Sequence, residues 1–179
     1  MSLAEKYLPR YTVEDYKLWE GDWEIIEGIA YAMAPSPFGK HQKVVAELII
    51  QFSSQIKPCD KNCRIYPELD WIISDDTVLR PDLTIICKEV EEYLKETPEV
   101  VIEVVSKSTA QKDEHLKFEI YEREKVPYYI LVYPDLEKVR GFKLKYGKFD
   151  KFFDSDDGVL KITLKNGCTA EINIKEIFT

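Results

Sequence analysis

The stretch Val100-Val101-Ile102-Glu103-Val104-Val105 decides how this chain is read. A run of strand length with almost no polar alternation is buried on both faces, so the strand expected over 99–105 belongs inside a covered sheet. Working outward, residues 111–125 carry a helical pattern, with Leu116 and Ile120 four apart on the core side. Tyr128–Tyr133 is a second buried strand. Strand, helix and strand in succession are the mark of an α/β protein.

Upstream, Thr12-Val13-Glu14-Asp15 reads as a capped helix start, with Tyr16 and Trp19 on its apolar face. Residues 23–26 and 29–33 read as a hairpin around Glu27-Gly28. Ala34-Pro35-Ser36-Pro37 breaks the chain before a long helix over 40–57. There Val45, Leu48, Ile49, Phe52 and Ile56 form one apolar stripe that His41 begins and Pro58 ends. Strand-like runs follow at 63–66, 68–73 and 78–87, with a turn at Asp75-Asp76, and 89–95 is a short polar helix or loop. After Pro134-Asp135 the pattern is antiparallel, with strands expected at 138–146, 148–153, 159–164 and 169–174. No repeat or linker interrupts the chain. One α/β domain over residues 1–179 with a β-rich C-terminal part is expected.

The composition agrees. The chain has 179 residues, 45% hydrophobic and 32% charged, which excludes disorder over its whole length. Its apolar runs fall far short of the ~20 residues that span a bilayer. Met1-Ser2-Leu3-Ala4-Glu5-Lys6 has no apolar core of a secretory signal, so the expected compartment is the cytoplasm, with no membrane partner. In a reducing cytosol Cys59, Cys63, Cys87 and Cys168 are expected as free thiols. Cys59 and Cys63 have no second pair at zinc-site spacing. With 25 Lys+Arg against 33 Asp+Glu the net charge is −8, which argues against non-specific coating of nucleic acid but leaves room for a local basic groove.

Chemistry concentrates near Glu103. An unpaired carboxylate in a core strand costs several kcal/mol, so Glu103 is either a functional group or one that reaches a partner at a strand edge. Asp82, between Pro81 and the apolar run Leu83-Thr84-Ile85-Ile86, is a second candidate, although Pro-Asp is also a turn dipeptide. Two carboxylates from neighbouring strands suit a hard cation such as Mg²⁺. Asp113, Lys117 and Tyr121 fall at i, i+4 and i+8 along one face of the following helix. Spacing alone favours a solvent-facing ion pair there; beside a metal, the same lysine would stabilise charge on a phosphate. Ser106, Ser108 and Thr109 cap that helix or touch a phosphate. His41 is either a satisfied core histidine or part of a site.

The order of motifs resembles a known family. Glu24-Ile25-Ile26-Glu27-Gly28, the Tyr31–Pro37 run with His41-Gln42, Pro81-Asp82-Leu83, and Ile102-Glu103-Val104-Val105-Ser106 with Ser108-Thr109 come first. Asp113, Lys117 and Tyr121, then Val126-Pro127-Tyr128-Tyr129 and Val132-Tyr133-Pro134-Asp135, complete the series. Over about residues 11–153 this is similar to the Uma-two family of restriction-endonuclease-like proteins. The resemblance implies the PD-(D/E)XK nuclease core, a mixed central sheet flanked by helices with a divalent metal at acidic strand ends. It implies Asp82 and Glu103 as metal ligands for Mg²⁺ or Mn²⁺. The usual lysine two positions after the second acid is replaced by Val105, so Lys117 from the helix would substitute, with Lys107 a weaker rival. Glu27 and His41 match recurrent family positions and would support the site, together with Asp113 and Tyr121. The implied function is metal-dependent endonucleolytic hydrolysis of DNA, with a homodimer plausible by analogy. The alternatives are a catalytically degenerate fold that binds nucleic acid or a protein partner, and a hydrolase of small phosphate compounds.

Overall fold

A computed structural model describes residues 1–33 and 38–179, so the Ala34-Pro35-Ser36-Pro37 breaker lies outside the described residues. Two short helices, α1 (Leu3–Lys6) and α2 (Val13–Tyr16), precede the hairpin β1 (Trp23–Ile26) and β2 (Ile29–Ala32). The long helix α3 (Gly39–Cys59) leads into β3 (Arg64–Pro67), β4 (Trp71–Ser74), β5 (Thr77–Leu79), β6 (Leu83–Ile86) and β7 (Val100–Val104). A π-helical segment, Lys112–Leu116, then runs directly into α4 (Lys117–Arg123). Finally come β8 (Tyr128–Tyr133), β9 (Lys138–Lys145), β10 (Lys148–Ser155), β11 (Val159–Thr163), β12 (Thr169–Asn173) and α5 (Ile174–Phe178).

Six strands form the central sheet, in the order β10-β9-β8-β7-β6-β3. Its parallel pair is β7 and β8, joined through the helix, and its other neighbours are antiparallel. Both strands of that pair are buried at every residue, as their unbroken apolar character requires. A second sheet, β2-β1-β5-β4, and a hairpin of β11 and β12 complete the β-structure.

Alternation along β7 sends its side chains to two cores. Val100, Ile102 and Val104 join Val44, Leu48, Phe52 and Ile56 of α3 and the inward residues of β11, β12 and α5. Val101, on the other face, joins Ile120, Tyr121 and Tyr129 and the second sheet's Ile26, Trp71 and Leu79. Val13, Tyr16, Ile25 and Val78 form a smaller third cluster under α2, whose start is the Thr12 capping box with Asp15.

Several expectations change. The run 78–87 is two strands in two sheets, because Pro81 lacks the N–H a continuous ladder needs and the chain turns at Arg80-Pro81-Asp82. The buried stripe of α3 runs through Val44 rather than Val45, and Pro58 sits in the last turn instead of ending the helix. The face of the second helix that turns inward is Asp113, Lys117, Ile120 and Tyr121, while Leu116 is only partly buried. Free thiols are replaced by two disulfides, Cys59–Cys168 and Cys63–Cys87. Register explains the second: Arg64 lies opposite Ile86, so Cys63 and Cys87 are the next cross-strand neighbours. No described helix is long and apolar enough to cross a membrane.

Candidate active site

The turn that splits 78–87 also places the first candidate. Asp82 lies just before β6, and its Oδ2 accepts the Val104 N–H at 2.7 Å while its own N–H donates to Glu103 Oε2 at 3.3 Å. These two bonds tie Asp82 to the end of β7 that carries Glu103. That is the C-terminal end of the parallel pair, where open α/β sheets commonly bind ligands.

Glu103 points to the α4 face of the sheet, where its Oε1 accepts from Lys117 Nζ and from the Tyr121 hydroxyl, each at 2.8 Å. Lys117 Nζ also lies 2.8 Å from Glu24 Oε1 and 4.0 Å from Asp113 Oδ1. Spacing alone favoured a solvated ion pair for Asp113 and Lys117; the structure buries both, with the Lys117 side chain only 3% exposed. Asp82, Glu103, Lys117 and Asp113 line one pocket of about 210 Å³ with His41, Glu68, Arg80, Lys112 and the hydroxyl residues Ser106, Ser108 and Thr109. His41 faces Asp82, with Nε2 3.5 Å from Oδ1. Tyr121 lies behind the pocket and holds Glu103 from below.

Glu27 is not brought to this pocket. Glu27 and Gly28 both have positive φ, 51° and 81°, the geometry of a tight primed hairpin turn. The turn carries the Glu27 side chain outward, where it is 64% exposed and pairs with Arg123 at 3.0 Å. The residue that reaches the site is Glu24. It is fully buried in β1, accepts the Arg80 N–H at 2.9 Å, and binds Lys112 through Oε2 at 2.7 Å. Its signal was present in the sequence: in a four-residue strand Glu24 shares a face with the core residue Ile26. Lys107, the rival lysine, is an exposed turn residue.

Burial and mutual charge shift most groups of this cluster upward. Burial is the main cause that pushes the Glu103 carboxyl well above its ordinary pKa, and Asp113, Asp82 and Glu24 add to it against the opposing pull of Lys117. Asp113 is raised to about 6, again chiefly by burial. Burial works against the charge of Lys117, yet Glu103, Glu24 and Asp113 together hold its ammonium well above the usual value. His41 moves up too, because the hydrogen bond and charge of Asp82 outweigh its burial. Burial raises the two acids, while the surrounding carboxylates raise Lys117 and His41. Glu24 is the exception: burial raises it, but Lys117 and Lys112 together bring it below the ordinary carboxylate value.

Among the described residues, no three His, Cys, Asp or Glu side chains converge as a ready-made metal cage. A hard cation bound by one or two carboxylates, with waters and phosphate oxygens filling its remaining positions, needs no such cage. Asp82 and Glu103, joined at the end of β7 and lining one pocket, fit that sparser donor set.

The comparisons agree with this architecture. No curated protein matches the chain. A solved structure from Anabaena variabilis, described as a "putative nuclease belonging to DUF820", is similar in fold, with a TM-score of 0.76 over 93% of this chain and 97% of that one at 20% identity. The family description "Putative restriction endonuclease" matches residues 13–160, a span that holds Glu24, Asp82, Glu103 and the helix with both lysines. On that match the chain belongs to the Uma2 family.

Proposed function

We propose that the protein is a divalent-metal-dependent nuclease that hydrolyses phosphodiester bonds in DNA. The observation that carries this reading is the junction of Asp82 and Glu103 at the end of β7, where both line one pocket. Asp82 and Glu103 would hold Mg²⁺ or Mn²⁺. When bound, such an ion supplies Lewis acidity and a lowered water pKa. The protein's own groups do the rest. Val104 N–H fixes the Asp82 carboxylate, while Tyr121 and Lys117 fix Glu103 from behind. Fixed polar groups of this kind stabilise developing charge without having to reorganise.

A Mn²⁺ titration followed by calorimetry tests the metal site, with wild type and Glu103→Gln compared with and without duplex DNA. Binding in wild type that is lost in Glu103→Gln, together with cleavage that needs metal, is the expected result. Equal binding in both would remove Glu103 from the site.

One observation favours a second reading, a nuclease fold that binds nucleic acid without cutting. Lys117 bridges Glu103 and Glu24 at 2.8 Å each, so the acidic centre already carries an internal counter-ion. Metal-independent DNA affinity without cleavage would favour that reading.

A further inference from the structure

The helix carries two lysines into the site, and they are not equivalent. Lys117 is enclosed: its ammonium donates to Glu103, lies 2.8 Å from Glu24 and 4.0 Å from Asp113, and its side chain is 3% exposed. Two carboxylates at 2.8 Å and near-complete burial hold it back from a substrate. Lys112 is 20% exposed, lines the same pocket, and among the described residues pairs only with Glu24 Oε2, at 2.7 Å. Two of its donors are left for a ligand.

Their presentation depends on the π-helical turn. In a regular α-helix, residues five apart differ by about 140° around the axis, so Lys112 and Lys117 would point in different directions. Here Lys117 N–H bonds to Lys112 C=O, an i to i+5 bond that closes a wider turn and stacks the two residues. Both ammonium groups therefore meet the one Glu24 carboxylate, Lys117 on Oε1 and Lys112 on Oε2. Glu24 is anchored in turn by the Arg80 N–H. The result is a fixed row, Lys112–Glu24–Lys117–Glu103, that ends in an ammonium on the pocket wall.

We infer that Lys112 is the lysine that contacts a phosphate of the bound nucleic acid, while Lys117 serves as the internal counter-ion of Glu103 and Glu24. This rests on the nuclease reading. A lysine that contacts a phosphate leaves a signature that a structural lysine does not, because it releases one counter-ion on binding.

The test measures the affinity of a fluorescein-labelled DNA duplex in Ca²⁺ across a salt series, for wild type, Lys112→Gln, Lys112→Arg and Lys117→Gln, with a melting temperature for each. Lys112→Gln, whose amide can still donate to Glu24, is expected to lose less melting temperature than Lys117→Gln and to lower the slope of log K against log salt by about 1. Lys112→Arg keeps the slope, and Lys117→Gln keeps it while melting lower. If wild type binds but Lys112→Gln leaves affinity and slope unchanged, or if Lys117→Gln takes the slope change instead, the assignment is overturned while the nuclease reading stands. If wild type itself shows no salt-dependent DNA affinity, the nucleic-acid reading fails and the inference fails with it.

Discussion

Both faces of the central sheet bury an apolar core, but only one of them has a charged cluster set into it. On one, Ile102 and Val104 of β7 meet Leu48 and Phe52 of α3 in an apolar layer, with disulfides at its margin. On the other, Glu103 of the same strand meets Lys117, Tyr121 and, through Lys117, Glu24 of the second sheet. The apolar face is held by area and shape, which tolerate small shifts. The other face has an apolar core of its own around Val101, Ile120 and Tyr129. The charged cluster set into it is held by matched donors and acceptors, which do not tolerate such shifts. A fold of this kind lets the first face supply stability while the second carries a cluster that would be too costly alone.

The largest effects should come from breaking each face in its own way. Phe52→Ala empties a buried site on α3 and is expected to cost about 3–5 kcal/mol in denaturant unfolding. Lys117→Met leaves Glu103 without its buried cation, with a similar cost of about 3–5 kcal/mol. The costs match and the causes do not, and a second substitution separates them. Adding Glu103→Gln to Lys117→Met should restore part of the lost stability, since Glu24 still has Lys112. The same Glu103→Gln should not rescue Phe52→Ala. Rescue of both, or of neither, would mean that the two faces do not differ as described.

That contrast also marks what the sequence could tell. The unbroken run at 100–105 and the run at 128–133 carry the covered parallel pair in plain view, because burial on both faces leaves no other composition open to them. Leu48, Phe52 and Ile56 of the α3 stripe are legible from helical spacing, while its start falls on Val44 rather than Val45. Asp82 and Glu103 stand out as charges set in apolar surroundings. Glu24 is legible by its strand position, on one face with Ile26, whereas Glu27 falls in the turn itself. The depth of Lys117 and the alignment of Lys112 depend on a π-turn, and no residue pattern in 112–116 distinguishes that from an ordinary helix. The disulfides were hidden because pairing is a matter of register between segments as far as 109 residues apart.

A smaller effect is expected at the margin of the apolar face. Cys59 at the end of α3 is joined to Cys168 before β12, closing a long loop across a sequence separation of 109 residues. Replacing both with Ser should lower stability by about 2–4 kcal/mol, mostly by widening the unfolded ensemble. Unfolding with and without reductant measures it, and the double variant should keep only the part of the reductant's effect that comes from Cys63–Cys87. Because Glu103, Lys117 and Glu24 lie on the other side of the sheet, Mn²⁺ affinity in the folded protein should not change. A drop in that affinity would show that the two faces are coupled through β7.

The smallest expected effect separates buried from exposed charge on the site's own face. Asp154 on β10 gathers Lys138 at 2.6 Å, Lys151 at 2.9 Å and Arg140 at 3.5 Å, and the Lys138 and Lys151 hydrogen bonds bring its pKa down to about 2. A carboxylate whose folded pKa is depressed stabilises the fold above its unfolded value and loses that contribution as pH falls. Wild type should therefore exceed Asp154→Asn in melting temperature from pH 5 to 7, and the gap should close between about pH 4 and pH 2. Because the cluster is open to water, the gap should stay within about 1 kcal/mol, or a few degrees, and shrink further in high salt. Lys117→Met, measured in the same salt series, should keep most of its deficit, because ions do not screen a pair they cannot reach. If salt erased both deficits equally, the row from Glu24 to Glu103 would have to be far more solvated than its burial indicates.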